Sequence, residues 1–483
     1  MNIPDYDFIV AGSGAAGAAV AARLARGGAR TLLLEQGVRA EPQKDGAAAV
    51  ALYYANAGLT AALGNGLFPV AIGRTLGGTT TINSGTCLRP PREMLERWEK
   101  NVPGFSADEF SERVEEAWTA LKVKPVKRSL CGASTGHFLR GLERLGIEGG
   151  HLLERSEDGC DGGGRCCFVC PTDKKMTSTR AFVDSLEDRS ALTIKTGSRL
   201  LSLKPAPRPG GLVEAVIIDD KGTRRVLRCR GLVLSCGALA TPYFLRRMGL
   251  PAGDGLTIHP AAKVFALFDE PVYGWHGVPQ AGGYWSASEP RLRFEGAFVP
   301  PEVAPLTMPL EGRRLKWWLD RYERAASFGF MVRDLGRGSV RYPLGPSLPA
   351  LRYDLHDEDV RLLARGMKLT ARAYFAAGAT RVLLPLNRPD NEMVHEAQLD
   401  AFDWDGILAR QINLMGFHPL GTAGMGRSVG ADLRAAEGVY VCDGSVVPES
   451  LGVNPQITIY AFALGLARRL LAGRERPAVS AKG

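Results

Sequence analysis

The chain has 483 residues, of which 45% are hydrophobic and 23% charged, a balance typical of a globular protein of roughly two or three average domains. Its formal net charge is +9, but the basic residues are scattered rather than grouped, so the charge does not indicate a nucleic-acid partner. No segment approaches the about 18–20 apolar residues of a spanning helix. No basic leader with a cleavage site precedes the first apolar run, so we expect a cytoplasmic protein.

The first element is a short apolar segment, 6–11, that predicts a buried strand. A glycine motif at 12–17 follows at once, and the Ala-rich residues 15–27 predict a helix. Residues 31–34 predict a second strand, which ends at Glu35. This order of strand, Gly-x-Gly-x-x-Gly turn, helix and strand opens a βαβ unit and predicts a Rossmann-like fold.

The residues of this unit fit a dinucleotide for separate physical reasons. Gly12 permits the tight turn, Gly14 lets the backbone approach a pyrophosphate, and Gly17 lets the helix pack close to the sheet. Glu35 is placed to accept hydrogen bonds from a ribose diol, and it would repel a 2′-phosphate, which disfavours NADP. The unit alone does not separate FAD from NAD.

A second glycine-rich segment, 73–83 (GRTLGGTTTIN), offers backbone N–H groups and hydroxyls that could wrap the edge of a cofactor. At this point the sequence resembles the glucose–methanol–choline (GMC) oxidoreductases, over almost the whole chain. The matching residues are Gly73-Arg74, 76–80, Ile82-Asn83, Arg89, 237–242, 418–422, Met425-Gly426, 441–445 and Asn454-Pro455. The stretches GGTTTINSGT and CDGGGRCCFVCPTDKK are most similar to the long-chain alcohol oxidase-like branch.

The resemblance implies an α/β (α+β composite) fold with a Rossmann-like FAD-binding domain and an antiparallel-sheet substrate cap. The expected division is an FAD-binding domain at 1–100, 190–258 and 405–475, a cysteine-rich lid at 101–189, and a cap at 259–404. It also implies FAD contacts, which we expect at Gly12, Gly14, Gly17, Glu35, Gly77, Gly78, Thr79, Asn83, Leu200, Asp443 and Pro455. Leu200 stands where the family places a backbone contact to adenine.

The resemblance further implies hydride transfer from an alcohol carbon to flavin N5. A neutral histidine suits the task of accepting the hydroxyl proton near pH 7. His418 lies in a Gly/Pro-rich turn, so we expect it to be the general base. Asn454 precedes a proline at the entry to the last predicted helix, and its amide could orient the alcohol oxygen. His259 could be mistaken for a catalytic residue, but we expect a structural role for it.

Two features concern cofactor attachment and metal binding. The segment SGTCLRPP contains no histidine for covalent flavin attachment, so we expect non-covalent FAD, with Cys87 as the alternative attachment point. Cys160, Cys166, Cys167 and Cys170 form the pattern C-x₅-C-C-x₂-C-P, part of a ferredoxin spacing. They could hold an iron–sulfur cluster or zinc, or they could be buried thiols or one disulfide.

Residues 313–326 predict a basic helix in which Trp317 and Trp318 would suit a membrane interface, at the inner face of the membrane. The alternative is an amphipathic helix packed on the cap. We therefore expect a small-molecule alcohol substrate, which an apolar entrance would suit, and oxygen, a quinone or a redox protein as the electron acceptor. A flavin-bearing lyase or decarboxylase is the alternative activity, and a non-enzymatic electron carrier is a third reading.

Overall fold

The computed structural model describes residues 3–43 and 45–475 as a mixed α/β fold. The helices are α1 (Ala15–Arg26), α2 (Gly46–Tyr53), α3 (Thr79–Ile82), α4 (Arg92–Asn101), α5 (Ala107–Ala120), α6 (Ala133–Arg144), α7 (Thr241–Arg247), α8 (Gly312–Leu319), α9 (Asp357–Ala376), α10 (Gln398–Ala401) and α11 (Gln456–Glu475).

The strands in chain order are β1 (Tyr6–Ala11), β2 (Thr31–Leu34), β3 (Ala61–Leu63), β4 (Leu67–Pro69), β5 (Val123–Pro125), β6 (Gly150–Leu152), β7 (Glu154–Ser156), β8 (Leu192–Lys195), β9 (Arg199–Lys204), β10 (Val213–Ile218), β11 (Arg224–Leu234), β12 (Asp254–Leu256), β13 (Pro260–Leu267), β14 (Gly282–Trp285), β15 (Leu292–Glu295), β16 (Ala325–Val332), β17 (Arg337–Arg341), β18 (Ala350–Asp354), β19 (Arg381–Leu383), β20 (Glu392–Met393), β21 (Met415–Gly416), β22 (Arg434–Ala436) and β23 (Val439–Val441).

The first sheet has the order β22-β23-β11-β1-β2-β8, with β9 and β10 continuing antiparallel from β11. β1 lies between β2 and β11 and is parallel to both. Its apolar residues are buried because helices cover the parallel strands, as the continuous hydrophobic run predicts. α1 packs against α11, so the first and last helices of the described chain share one core. The Rossmann-like fold predicted from the glycine motif is confirmed.

The second sheet is antiparallel, with the order β20-β19-β13-β16-β15-β14-β6, and β21 pairs with the start of β13. Side chains alternate between its two faces. One face is apolar and packs on α6 and α9; it includes Val264, Phe294, Phe328 and Phe330. The other face presents the intervening residues, so this sheet has one structural face and one that can serve a site.

A third sheet, β12-β17-β18-β3-β4, lies next to the turn that carries the expected histidine. Val70, just after β4, forms an isolated bridge with Gly416, and the N–H of Ala71 donates to the Gly416 carbonyl at 3.3 Å. These contacts hold the residues before His418 in place. In the described part of the chain, no helix is long and apolar enough to cross a membrane.

The two tryptophans considered for membrane contact do not form an apolar outer face. α8 is shorter than the predicted helix, and Trp318 is fully buried, with its indole N–H donating to Glu392 at 3.1 Å. The ring of Trp317 is covered by the guanidinium groups of Arg321 at 4.2 Å and Arg381 at 4.7 Å. The structure therefore does not support membrane contact by this helix, because its indoles are used in packing within the fold.

Candidate active site

The glycine turn after β1 leaves space in front of α1. A Cβ on Gly12, which has φ +104°, would lie 2.1 Å from the Ser235 carbonyl oxygen. A Cβ on Gly17 would lie 1.8 Å from the carbonyl oxygen of Gly12. A Cβ on Gly14, the residue before α1, would meet nothing within 4 Å. Two glycines are thus required by packing, while the third borders open space at a helix N-terminus, where phosphate groups bind.

The two glycine-rich loops are connected by side-chain hydrogen bonds. The Ser13 hydroxyl donates to Glu35 at 2.6 Å and accepts from the backbone N–H of Gly77 at 3.0 Å. The other oxygen of Glu35 accepts from the N–H of Gly37 at 2.8 Å. Ser178 adds a donor from a third segment, to the Ser13 carbonyl at 3.1 Å. Glu35 therefore also organises the loops, and burial raises its pKa.

The second loop also reaches the start of the last helix. Asn83 donates from Nδ2 to the side-chain oxygen of Gln456 at 3.2 Å, directly after Pro455. Thr79 accepts from the N–H of Gly73 at 3.1 Å, which closes the loop, and Gly78 lies against Gly14. The segments expected to hold FAD are thereby brought together from opposite ends of the sequence.

Leu200 and Asp443 lie at other points of the same sheet. The N–H of Ser198, two residues before Leu200, donates to the Glu35 carbonyl at 2.9 Å, so Leu200 lies near the acid at the end of β2. Asp443 is buried and accepts from the N–H groups of Gly237 at 2.9 Å and Ser445 at 2.8 Å. Burial raises its pKa, and its carboxylate ties the loop after β11 to the loop after β23.

These residues fit a bound FAD. The open space at Gly14 suits a pyrophosphate approached by backbone N–H groups. The hydroxyl of Ser445 is buried and has no hydrogen-bond partner within the described residues, which leaves a polar group for a ligand near Asp443. We expect the first loop to bind the phosphates of FAD and Glu35 to bind the ribose. We expect the loop at 77–83 and the start of α11 to border the flavin end of the cofactor.

The two histidines at the site are coupled. Backbone pairing of Ile258 with His418, whose N–H donates to the Ile258 carbonyl at 3.1 Å, brings His259 beside His418. The Nδ1 atoms of the two rings are 3.0 Å apart. His259 is fully buried and has φ +48°, a left-handed conformation that costs energy for a non-glycine residue. Its structural role was predicted, but its contact with His418 was not.

One hydrogen bond limits where the proton of His259 can lie. Nε2 of His259 accepts from the backbone N–H of Gly452 at 3.0 Å, and a backbone N–H can only donate. When His259 is neutral, its proton therefore lies on Nδ1, between the two rings. Nε2 of His418 has no partner among the described residues and is the atom left for a ligand. Burial, with His259 as a further cause, holds the pKa of half-buried His418 well below its usual value.

Asn454 lies two residues beyond Gly452 and is 7% exposed. Its Nδ2 donates to a carboxylate oxygen of Glu295 at 3.2 Å. Gln280 donates to the same oxygen at 3.3 Å and accepts from the Thr86 hydroxyl at 2.7 Å. In the part of the chain that is described, the other oxygens, Oδ1 of Asn454 and Oε1 of Glu295, are buried without partners. These unpaired oxygens, on two side chains that hydrogen-bond to each other, mark a region where a hydroxyl could bind.

Glu295 belongs to the polar face of the second sheet. It pairs with Gly329 on β16, which pairs in turn with Lys263 on β13, so one row carries Glu295 and Lys263 on either side of a glycine. Burial raises the pKa of Glu295 to about 7 and lowers that of Lys263 to about 8. Sequence analysis missed Glu295 and Gln280. The sequence does show a carboxylate at the end of an alternating strand, LRFE. This alternation does not show which face of the sheet meets the cofactor.

The cysteine-rich segment does not form the metal site that its spacing suggested. Arg155 is buried and donates from Nη2 to the Cys166 sulfur at 3.1 Å, so this thiol already has a cationic partner within the protein. Cys170 instead accepts from the N–H of Lys174 at 3.3 Å. Within the described ranges, no three His, Cys, Asp or Glu side chains converge on a metal position, and the cysteines are free thiols. The iron–sulfur and zinc readings are therefore not supported, since a cluster needs several thiolates around it.

A Rossmann-like sheet with its glycine turn, joined to a second sheet that presents coupled polar groups, defines a dinucleotide-dependent enzyme. The chain belongs to the GMC oxidoreductase family: residues 6–261 match the GMC oxidoreductase model of the N-terminal part and residues 336–463 that of the C-terminal part. It is therefore a flavoprotein oxidoreductase that uses FAD, as the resemblance implied.

Relatives and solved structures agree with this assignment. The chain is 33% identical to an uncharacterised GMC-type oxidoreductase of Mycobacterium tuberculosis (strain CDC 1551 / Oshkosh), over 98% of this chain and 76% of that protein. It is 26% identical to a long-chain-alcohol oxidase of Arabidopsis thaliana, over 96% of this chain and 66% of that protein. The crystal structure of pyridoxine 4-oxidase from Mesorbium loti shares the fold, with a TM-score of 0.71 and 19% identity over 96% of this chain and 98% of that one.

Proposed function

We propose that this protein oxidises a primary or secondary alcohol to an aldehyde or ketone, with the alcohol oxygen held between His418 and Asn454. The observation that carries the proposal is the group of unsatisfied polar atoms there: Nε2 of His418 is free, and Oδ1 of Asn454 is buried without a partner in the described structure. Bound FAD supplies a two-electron acceptor for the hydride of the alcohol carbon.

The chain's own residues position the alcohol and stabilise the charge that develops on its oxygen. His418 accepts the hydroxyl proton as the alcohol carbon gives up its hydride, and the Asn454 amide fixes the direction of the oxygen. His259 and Gly452 hold the His418 ring so that no reorientation is needed during the reaction. The role of His418 as general base stays a prediction.

The proposal favours an alcohol with an apolar body. Phe417 directly precedes His418 in the sequence and is an exposed apolar side chain, with 38% of its surface accessible. One relative is named as a long-chain-alcohol oxidase, which agrees with this preference. Oxygen, a quinone and a redox protein remain the candidate electron acceptors.

The test is anaerobic mixing of the holoenzyme with a panel of short and long alcohols, sugars and sterols. Loss of the oxidised flavin absorbance with a subset of alcohols is the expected result. A flavin that no alcohol reduces would favour the lyase or decarboxylase reading. His418→Ala should slow flavin reduction by about 10²–10³-fold, as expected for loss of a general base, and an unchanged rate contradicts the assignment. Repeating turnover with oxygen and with a dye identifies the acceptor class.

A further inference from the structure

Two buried cations lie at the cysteine-rich segment without a carboxylate partner. Arg155 is 1% exposed and Lys175 is 3% exposed, and they are the two almost wholly buried basic side chains of the described residues. In that part of the chain, no Asp or Glu oxygen lies within 4.0 Å of either cation. Glu157, two residues from Arg155, pairs with Lys124 at 3.1 Å instead. A buried charge without an opposite charge is costly, so these two indicate a role beyond packing.

The hydrogen bonds of Lys175 require its charged form. Its Nζ has three partners, all of them backbone carbonyl oxygens. They belong to Thr81 at 2.8 Å, Asn83 at 2.7 Å and Cys166 at 2.7 Å. An ammonium offers three N–H donors, whereas a neutral amine offers two and would turn a lone pair toward the third carbonyl. Burial lowers the pKa of Lys175 to about 8, so the group still keeps its proton at pH 7.

Arg155 holds the next carbonyl of the same loop. Its Nε and Nη2 donate to the carbonyl oxygen of Ser84, at 3.1 and 2.7 Å. Its Nη1 is buried and has no hydrogen-bond partner among the described residues. A guanidinium does not lose its proton in proteins. Two positive charges therefore lie against residues 81–84, the end of the loop that we expect to border the flavin.

The same loop also contacts the candidate site. The hydroxyls of Ser84 and Thr86 both donate to the side-chain oxygen of Gln280, which belongs to the polar groups around Asn454. The loop is thus in direct contact with the two cations and with the groups of the site. Since we expect this loop to border the flavin, charge on the cofactor would interact with both cations across a dry layer of backbone.

We propose that Lys175 and Arg155 stabilise the negative charge that FAD gains on reduction and thereby raise its reduction potential. A hydride carries one proton and two electrons, so its transfer to oxidised FAD adds one negative charge. Fixed positive charges in a place that excludes water favour that reduced form without reorganisation. The inference rests on the proposed function for its purpose, because a higher potential favours removal of a hydride from an alcohol.

The experiment measures the two-electron reduction potential of the bound FAD at pH 7, by anaerobic photoreduction in equilibrium with a reference dye and without any alcohol. Lys175→Gln and Arg155→Gln each keep an N–H donor but lose the charge. Each should shift the equilibrium toward oxidised FAD by about tenfold or more, which lowers the potential by about 30 mV. Arg155→Lys keeps the charge and should stay within about threefold of wild type. Lys174→Gln is the matched control, since half-buried Lys174 is the neighbouring lysine, and should also match wild type.

The outcomes separate charge from loop support. An equilibrium within about twofold of wild type in both glutamine variants overturns the proposal, and so does Arg155→Lys if it shifts as far as Arg155→Gln. If one glutamine variant does not retain flavin, the other decides. Loss of flavin from both would make the two residues supports of the loop and would also overturn the proposal. Shifted potentials in a protein whose flavin no alcohol reduces would support the role of the cations and remove the proposed function, so the two failures are distinguished.

Discussion

His259 reaches the site only by adopting a strained backbone conformation. Its φ of +48° costs on the order of 1–3 kcal/mol for such a side chain, and a residue keeps it only when surrounding contacts require it. Here the contacts are the Gly452 N–H on one side of the ring and His418 on the other. The imidazole of His259 is thus a rigid spacer between the backbone that carries Asn454 and the ring of His418, which we propose contacts the alcohol.

Replacing His259 should therefore affect turnover more than substrate affinity. His259→Asn suits the left-handed backbone, because Asn tolerates positive φ, but removes both ring contacts. We expect kcat to fall by about 100-fold, with a much smaller change in KM, since a misplaced His418 loses its alignment with the reacting bond. Steady-state kinetics with the best alcohol of the panel, at equal flavin content, measure this split.

The control for this variant is His395→Asn, which changes an exposed histidine and should leave both constants as in wild type. A matching fall in flavin content would point to general structural damage at His259. An unchanged kcat in flavin-loaded His259→Asn would contradict its positioning role.

At the scale of single residues, the sequence predicts residues that belong to a motif. It misses residues that contact the motif from distant parts of the chain. His418 and Asn454 could be predicted as site residues because each stands in a Gly/Pro-rich signature. Their partners His259 and Glu295 each lie 159 residues away along the chain. Only the pairing of strands and turns creates these contacts, and no local spacing encodes them.

At the scale of elements, the first βαβ unit gives a prediction that separates the roles of two of its glycines. Gly17 is required where α1 crosses β1, because its Cβ would lie 1.8 Å from the Gly12 carbonyl oxygen, whereas Gly14 borders open space. Gly17→Ala should lower both the folded yield and the melting temperature of the apoprotein. Gly14→Ala should leave the melting temperature of the apoprotein unchanged and reduce FAD content, because its methyl group would occupy space expected for the pyrophosphate.

The ratio of flavin to protein absorbance and thermal melting followed by circular dichroism separate these outcomes. Gly473→Ala is the control, a glycine in α11 whose Cβ would also meet nothing within 4 Å. Full flavin content in Gly14→Ala would contradict the placement of the pyrophosphate at this turn.

Elements with a strong local pattern were predicted almost to the residue. The expected strands 6–11 and 31–34 are β1 and β2, and the expected helix 15–27 is α1, Ala15–Arg26. The basic helix expected at 313–326 is shorter, because α8 ends at Leu319 and a separate turn follows at Tyr322–Arg324. The helix is amphipathic, as its periodicity predicts, but Trp318 points into the fold, where its indole N–H donates to Glu392. The sequence pattern predicts an amphipathic helix but does not show which part of the protein covers its apolar side.

The whole molecule is organised so that segments far apart in sequence meet where we expect the cofactor to bind. The glycine turn at 12–14, the loop at 77–83 and the start of α11 are joined by Ser13 and by the bond between Asn83 and Gln456, which are 373 residues apart. A ligand that contacts all three segments stabilises the folded state as a unit, since it binds only when they are assembled. FAD should therefore contribute to global stability as well as to chemistry.

This coupling, together with the expected non-covalent attachment, gives a prediction for the whole protein. Acid denaturation should release all yellow colour into the supernatant. The melting temperature should rise with free FAD, because ligand at 100 times its Kd stabilises the fold by about 2.7 kcal/mol. The alternative attachment point, Cys87, is fully buried, and burial raises the pKa of its thiol to about 12, which leaves no thiolate for attachment. Yellow colour that stays in the pellet for wild type but not for Cys87→Ala would show covalent attachment at that thiol. A melting temperature that does not depend on FAD would contradict the coupling between cofactor and fold.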